Sequence, residues 1–297
     1  MDAKTFSYLY YKARGYPDAE IRKETGLNEE EYPLFERAME PLLAEIMREQ
    51  PAAEQIGADF VKLTRYIYAG KSDQQLGISR PDAIKARSGE IIALPAVGTL
   101  NFHELSLQDA IAQRQSLRKY SEEPLSQEEL SFLLWASGWA KDFRSNERLE
   151  ITIRNVPSAG ARHPLECFVH IHRVQGIKAG LYYYHPIKHC LILLDIGEAI
   201  HGAIFEACMR QEMIASSAIN LIFSAVPYRC SWRYGQRGYR YLYLDAGHVG
   251  QNLSLAAEAV GCGACMIGAF RDEAMNEVLG MDGMEEFVIY IMTVGKK

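Results

Sequence analysis

The chain has 297 residues, with 32 Lys plus Arg against 38 Asp plus Glu, for a net charge of −6. Apolar residues make up 48% and charged residues 24%. This balance excludes a disordered chain, a collagen-like fibre and a small disulfide-stapled domain, and the mild negative charge offers no global attraction to nucleic acid or anionic lipid.

The first fifteen residues, MDAKTFSYLYYKARG, lack the apolar run and cleavage site of a signal peptide. No stretch approaches the ~20 apolar residues of a membrane span, so no membrane partner is expected. The cytoplasm is the expected location. Six cysteines fit it, and the four isolated ones read as small buried hydrophobes.

Three regions are expected: a helical extension over 1–60, an irregular connecting region over 61–105 packed on the core, and a core domain over 106–297. In the first, Leu34, Phe35, Ala38, Met39, Leu42, Leu43, Ile46 and Met47 fall at the spacing of one helix face. Pro41 lies inside that stripe and predicts a kink or a break, because its ring removes a hydrogen bond at a cost of ~3 kcal/mol. Residues 19–32 have the outline of a helix-turn-helix. The second helix would carry Glu29, Glu30, Glu31 and Glu36, which repel phosphates, so a packing role is expected and no nucleic acid. The connecting region scatters Gly77, Pro81, Gly89, Pro95 and Gly98 among apolar residues.

Ser106 is a plausible N-cap for a short helix. Ser126 and Glu129 form a capping box ahead of Leu130, Leu133 and Leu134. Strand-like runs cover 165–174, 181–185, 191–195, 218–226 and 286–294, with a hairpin turn at 186–188. A long helix is expected over 239–260, with Gly261 as its stop. Strands mixed with helices, without strict alternation, indicate an α+β fold.

The common signatures of NAD, ATP, esterase and zinc-protease sites are absent, and no metal site is expected. Cys262-Gly263-Ala264-Cys265 has no second pair to complete a zinc site and reads as packing. Three weaker signals remain. Arg114-Gln115-Ser116-Leu117-Arg118 offers two guanidiniums around a hydroxyl, which suits a phosphate or simply a solvated helix end. Pro157-Ser158-Ala159-Gly160 would let a flat ligand approach the backbone, or is a plain turn. Met266-Ile267-Gly268-Ala269-Phe270 could stack on a ring and present an N–H, or end a buried strand.

In this order the signals resemble the nitroreductase-like flavoprotein superfamily, and within it the SagB-type dehydrogenases. The likeness is carried by RQSLRKYSEEPLSQEELSFLLWASG, VPSAGARHPLECFVHIHRVQGIKAGLYYYHP, YGQRGYRYLYLDAGHVGQNLSLAAEAVGCGACMIGAF and EEFVIYIMTVG. It implies a three-layer α+β sandwich with a mixed, largely antiparallel central sheet flanked by helices. It also implies FMN at the interface of a homodimer. By position, Arg114, Ser116 and Arg118 would hold the phosphate and ribityl end, and Pro157, Ser158, Ala159 and Gly160 would line the isoalloxazine. In the superfamily that loop commonly comes from the partner subunit. Gly268 and Ala269 would face flavin N5, Met266 and Ile267 would pack on the ring, and Gln211 would touch the pyrimidine edge.

Two departures from the family pattern stand out. Related nitroreductases continue past the last strand and supply a further basic phosphate contact; here a lysine at the end, Lys296, is the candidate substitute. Azoline-oxidising SagB-type members carry a Lys-Tyr pair near the flavin, where this sequence has Arg233-Tyr234. Arginine is a poor base, with a pKa above about 12, which leaves Tyr234 as the expected acid/base. The resemblance implies an FMN-dependent oxidoreductase with ping-pong hydride transfer through N5, acting on a modified peptide or reducing a small electrophile with NAD(P)H. The alternatives are a flavin-binding module without turnover and a regulatory protein acting through residues 1–60.

Overall fold

The computed structural model describes residues 3–13, 15–49, 56–97, 105–146 and 149–297. The chain forms two compact units, Met1–Arg65 and Tyr66–Lys297. The side chains of Ile46 and Met47, and Gly98, lie outside the described residues.

The first unit contains α1 (Ala3–Ala13), α2 (Asp18–Thr25), α3 (Glu31–Glu49) and α4 (Ile56–Leu63). Tyr8, Leu9, Ile21, Leu27 and Tyr32 form its core, with Phe35, Met39, Leu42 and Leu43 packed against them. Lys12 joins three helices by pairing with Asp18 at 2.8 Å and Glu36 at 2.5 Å. Contrary to a break at Pro41, α3 is one continuous helix. Apolar contacts on both sides of the proline hold it together, and packing of this kind outweighs one lost backbone bond.

The second unit is built on a seven-stranded sheet in the order β1-β6-β5-β4-β7-β9-β8. The strands are β1 (Ile91–Ala93), β4 (Leu165–Ile171), β5 (Gly180–His185), β6 (Cys190–Asp195), β7 (Ile219–Ala225), β8 (Cys262–Ile267) and β9 (Phe287–Lys296). Its ladders are antiparallel. A parallel bridge joins Ser116 to Ala264 of β8. A separate hairpin pairs β2 (Ala140–Ser145) with β3 (Glu150–Arg154).

Helices cover both faces of the sheet, making three layers. On one face lie α6 (Gln127–Gly138) and α10 (Gly238–Ala259), over Val169, Tyr182, Leu221 and Val294. On the other lie α7 (Glu198–Ala207), α8 (Glu212–Ser216) and α11 (Asp272–Val278), over Phe168, Tyr183, Ile222 and Ile291. Burial on both faces explains why β4, β5 and β7 read as continuous apolar runs. The remaining helices are α5 (Leu107–Gln113) and α9 (Tyr228–Tyr234). Ser106 caps α5, the Ser126–Glu129 box opens α6, and Gly261 follows α10 with φ at 66°.

Past α5, residues 114–121 lie against the ends of β8 and β9. The Leu117 N–H donates to the Ala264 carbonyl at 2.9 Å, and Ser121 N–H to the Lys296 carbonyl at 3.0 Å. Tyr120 Oη meets Thr293 Oγ1 at 2.6 Å. This approach requires two glycines that face each other across the ladder, Gly263 and Gly295. A Cβ on Gly263 would lie 2.7 Å from Leu117 Cβ, and one on Gly295 would lie 2.8 Å from the Tyr120 ring.

Gly263→Ala and Gly295→Ala should each lower stability by about 1–3 kcal/mol through overpacking. Urea unfolding of the single and double variants checks this, and equal stability with the parent would contradict the packing described.

Candidate functional site

A groove of about 270 Å³ runs between the end of α5, helix α10 and strands β8 and β9. It is lined by Arg114, Ser116, Gly247, Gly250, Gln251, Ser254, Ala264, Met266 and Tyr290. Arg114 is half-buried, and Ser116 is placed by its bridge to Ala264. Gly247 and Gly250, one turn apart on α10, keep that wall flat. A Cβ on Gly247 would meet open space, whereas one on Gly250 would lie 2.9 Å from Met266 Cε and 3.3 Å from the Tyr290 ring. The groove therefore combines a cation and hydroxyls with a thioether and an aromatic ring. That donor set suits a flat ligand carrying an anionic group.

The 157–160 loop forms a second group. Ser158 accepts the His163 N–H at 2.9 Å. Its hydroxyl and the Ala159 N–H both bond Asp245 of α10; burial raises that carboxyl above its ordinary range, and these two donors oppose the rise. Gly160 has φ at 59°, and a Cβ there would meet Arg233 carbons at 3.3 Å and the Tyr234 hydroxyl closer still. Arg233 and Tyr234 thus stand directly over the loop. The Arg233 guanidinium lies 5.6 Å from the Tyr234 ring centroid, and Tyr234 packs edge-on to Tyr241 at 4.9 Å. Pro157 is exposed at the mouth of a small cavity that His163 also lines. Burial, with Arg154, Arg162 and Arg229 nearby, pushes the His163 imidazole down to about 2.

The loop and the groove sit on opposite sides of α10. At 3.6 residues per turn, Asp245 points away from Gly247, Gly250, Gln251 and Ser254. Within one chain, Arg114, Ser116 and Met266 come together, and Pro157, Ser158, Ala159 and Gly160 come together with Arg233 and Tyr234. A third pairing joins Gln211 to Ala269, whose carbonyl accepts the Gln211 Nε2–H at 2.7 Å. Gly268 and Ala269 follow β8 and are exposed, as is Arg118.

Two expectations need correction. Ile267 does not share a surface with Met266: alternation along β8 turns it to the other face of the sheet, where it is buried with Cys265 and Ile291. Lys296 does not line the groove. Its ammonium pairs with Glu129 of α6, a half-buried ion pair that leaves it committed to a carboxylate. The sequence reading also missed Gly247, Gly250 and Tyr290. Two glycines one turn apart inside an otherwise strong helix were the available signal.

The matching family model is the nitroreductase family, over residues 111–296. The chain belongs to the nitroreductase family. It is 35% identical over 197 residues to a Methanocaldococcus jannaschii protein named as a nitroreductase, covering 66% of this chain and 94% of that one. It is 31% identical over 144 residues to the trifolitoxin-processing protein TfxB of Rhizobium leguminosarum bv. trifolii, covering 46% of this chain and 39% of TfxB. A crystal structure from Anabaena variabilis, also named as a nitroreductase, superposes with a TM-score of 0.54 at 33% identity, over 64% of this chain and 38% of that one. Membership makes the chain an oxidoreductase by family. No described helix is long and apolar enough to cross a membrane.

Within this nitroreductase domain the CxxC pair is split by the sheet. Cys262 is buried with Val294 on one face and Cys265 with Ile291 on the other. Burial pushes the Cys262 thiol up to about 12. Alkylation of the native protein after denaturation without reductant, read by intact mass, should therefore find six free thiols, as in the structure. A Cys262–Cys265 disulfide would contradict this.

Proposed function

We propose that this chain is an FMN-dependent oxidoreductase of the SagB dehydrogenase type, acting as a homodimer. The observation that carries the proposal is the groove beside α10, where Arg114 and Ser116 stand next to Met266 and Tyr290. A guanidinium fork with a hydroxyl suits a phosphate dianion, and a thioether beside a phenol ring suits a conjugated tricycle. Gly250 supports the same fit, because any side chain there would press on Met266. When bound, FMN supplies hydride transfer through its N5, with the two substrates meeting it in turn.

The chain's own residues then have distinct tasks. Arg114 would hold the phosphate, with Ser116 and Arg118 at the ribityl-phosphate end. Met266 would pack on the ring, and the exposed backbone of Gly268 and Ala269 would provide its polar edge contacts. Gln211 fixes the orientation of the Ala269 carbonyl. The homodimer accounts for the loop being on the far side of α10 from the groove in its own chain: residues 157–160 would complete the groove of the partner subunit. Tyr234 would hold the proton exchanged with substrate. Arg233 packs on the Tyr234 ring and would attract an anionic substrate group.

The name of TfxB favours a modified peptide as the substrate class. The Methanocaldococcus relative, matched over 94% of its length, favours a second reading, NAD(P)H-dependent reduction of small electrophiles. Steady-state assays with each class separate the two.

The purified protein should be yellow, or become so on addition of FMN; a protein that stays colourless overturns the proposal. Arg114→Ala should weaken FMN binding by roughly 1.5–3 kcal/mol, about 10- to 150-fold, in a fluorescence-quenching titration. Unchanged affinity would refute its phosphate role. Tyr234→Phe should retain flavin while losing about 100-fold in kcat. Full turnover in that variant would remove Tyr234 from the chemistry.

A further inference from the structure

On the sheet face opposite the groove, three imidazoles converge. His170 lies on β4, His172 just past its end, and His201 in the first turn of α7. The spacing of His170 and His172 by two residues puts both on one side of the extended chain. One ligand nitrogen from each of the three lies within 4.8 Å of the others. The ring centroids are 4.3, 4.8 and 5.2 Å apart.

Their hydrogen bonds are crowded. Asn220 Nδ2 stands 3.1 Å from His170 Nδ1, 3.2 Å from His172 Nε2 and 3.0 Å from the Ile214 carbonyl. An amide has two N–H groups, so three acceptors compete for two donors. With His170 Nδ1 as acceptor, its Nε2–H donates to His201 Nδ1 at 2.7 Å. His172 donates its ring N–H to the Ile214 carbonyl. In this scheme the Asn220 amide is the donor shared by His170 and His172, and His170 is the donor to His201; among the described residues no carboxylate bonds to the three rings.

We propose that His170, His172 and His201 form a binding site for a divalent transition-metal ion of the zinc class, linking β4 to the start of α7. The ligand set is all imidazole, which selects Zn²⁺ or its neighbours Co²⁺, Ni²⁺ and Cu²⁺ over Mg²⁺ and Ca²⁺. Zn–N bonds of about 2.0–2.1 Å in a tetrahedron place ligand nitrogens roughly 3.3 Å apart. The short His170–His201 contact would open slightly and the wider ones would close, a movement within reach of rings that are only half-buried at His172 and His201. Three protein ligands leave the fourth position for water, which the partial exposure allows. The His172 bond to the Ile214 carbonyl is the outer contact that fixes a ligating ring. The site is independent of the flavin groove, since the sheet lies between them.

The test uses the full-length protein without an affinity tag, incubated with Zn²⁺ and then dialysed free of excess metal. Elemental analysis should find about one zinc per chain, and Zn²⁺ should raise the melting temperature, an increase that EDTA removes. His201→Ala and His172→Ala should each lose the bound zinc and the thermal shift while keeping the parent's circular dichroism spectrum in metal-free buffer. His201→Cys, which restores a zinc ligand, should recover the zinc. A parent protein that retains no zinc, or variants that retain a full equivalent, would overturn the proposal.

Discussion

The site depends on a close backbone approach. Residues 114–121 can lie against the ends of β8 and β9 only because Gly263 and Gly295, paired across the ladder, carry no side chains. Leu117 and Tyr120 fill the space that two Cβ atoms would take. The same contact bridges Ser116 to Ala264 and sets Arg114 at the mouth of the groove. Packing and the shaping of the groove are therefore one structural event. The glycine between the two cysteines is what the CxxC motif contributes, and the thiols themselves are core.

A sheet covered on both faces has a cost. Its polar residues must be satisfied inside the protein. Glu166 of β4 shows how this is met: burial would push its carboxyl up, but the Arg229 guanidinium at 2.5 Å and the Tyr183 hydroxyl outweigh burial and hold it below its usual range. Its contribution to stability is present above the ordinary glutamate range and is lost as pH falls through the depressed value. Nearby, Glu286 accepts from Ser224, Lys85 and Arg87, binding the segment before β1 to the end of the sheet. The two faces also divide the chemistry. One carries the groove beside α10, and the other carries the histidine cluster beneath α7.

Much of this was legible in the sequence because it rests on local rules. The Ser106 cap, the Ser126–Glu129 box, the 186–188 turn and the Gly261 stop are all short-range, and each stands where the pattern put it. Strand β1 was hidden because three residues are too few to show alternation, and the β2–β3 hairpin because β2 is exposed and charged and β3 is only five residues long. The site was harder to read. Family likeness pointed to Arg114, Ser116 and Met266, which the structure brings to one groove. It misplaced Ile267, although strand alternation forbids neighbours from sharing a face. It misassigned Lys296, whose charge is taken by Glu129 more than 160 positions away in sequence. No local pattern reveals a partner at that distance. His170 and His172 did leave a signal in their spacing, but its meaning needed His201, which only the packing of α7 supplies.

The central claim is that Arg114, Ser116 and Met266 cradle one flavin phosphate and ring. A crystal structure of the protein grown with FMN tests it most directly. The account predicts the phosphate on Arg114 and Ser116, the ring against Met266, and the 157–160 loop of a second subunit closing over it. FMN bound elsewhere on the domain, or a groove closed by its own side chains with no flavin in it, would contradict the account.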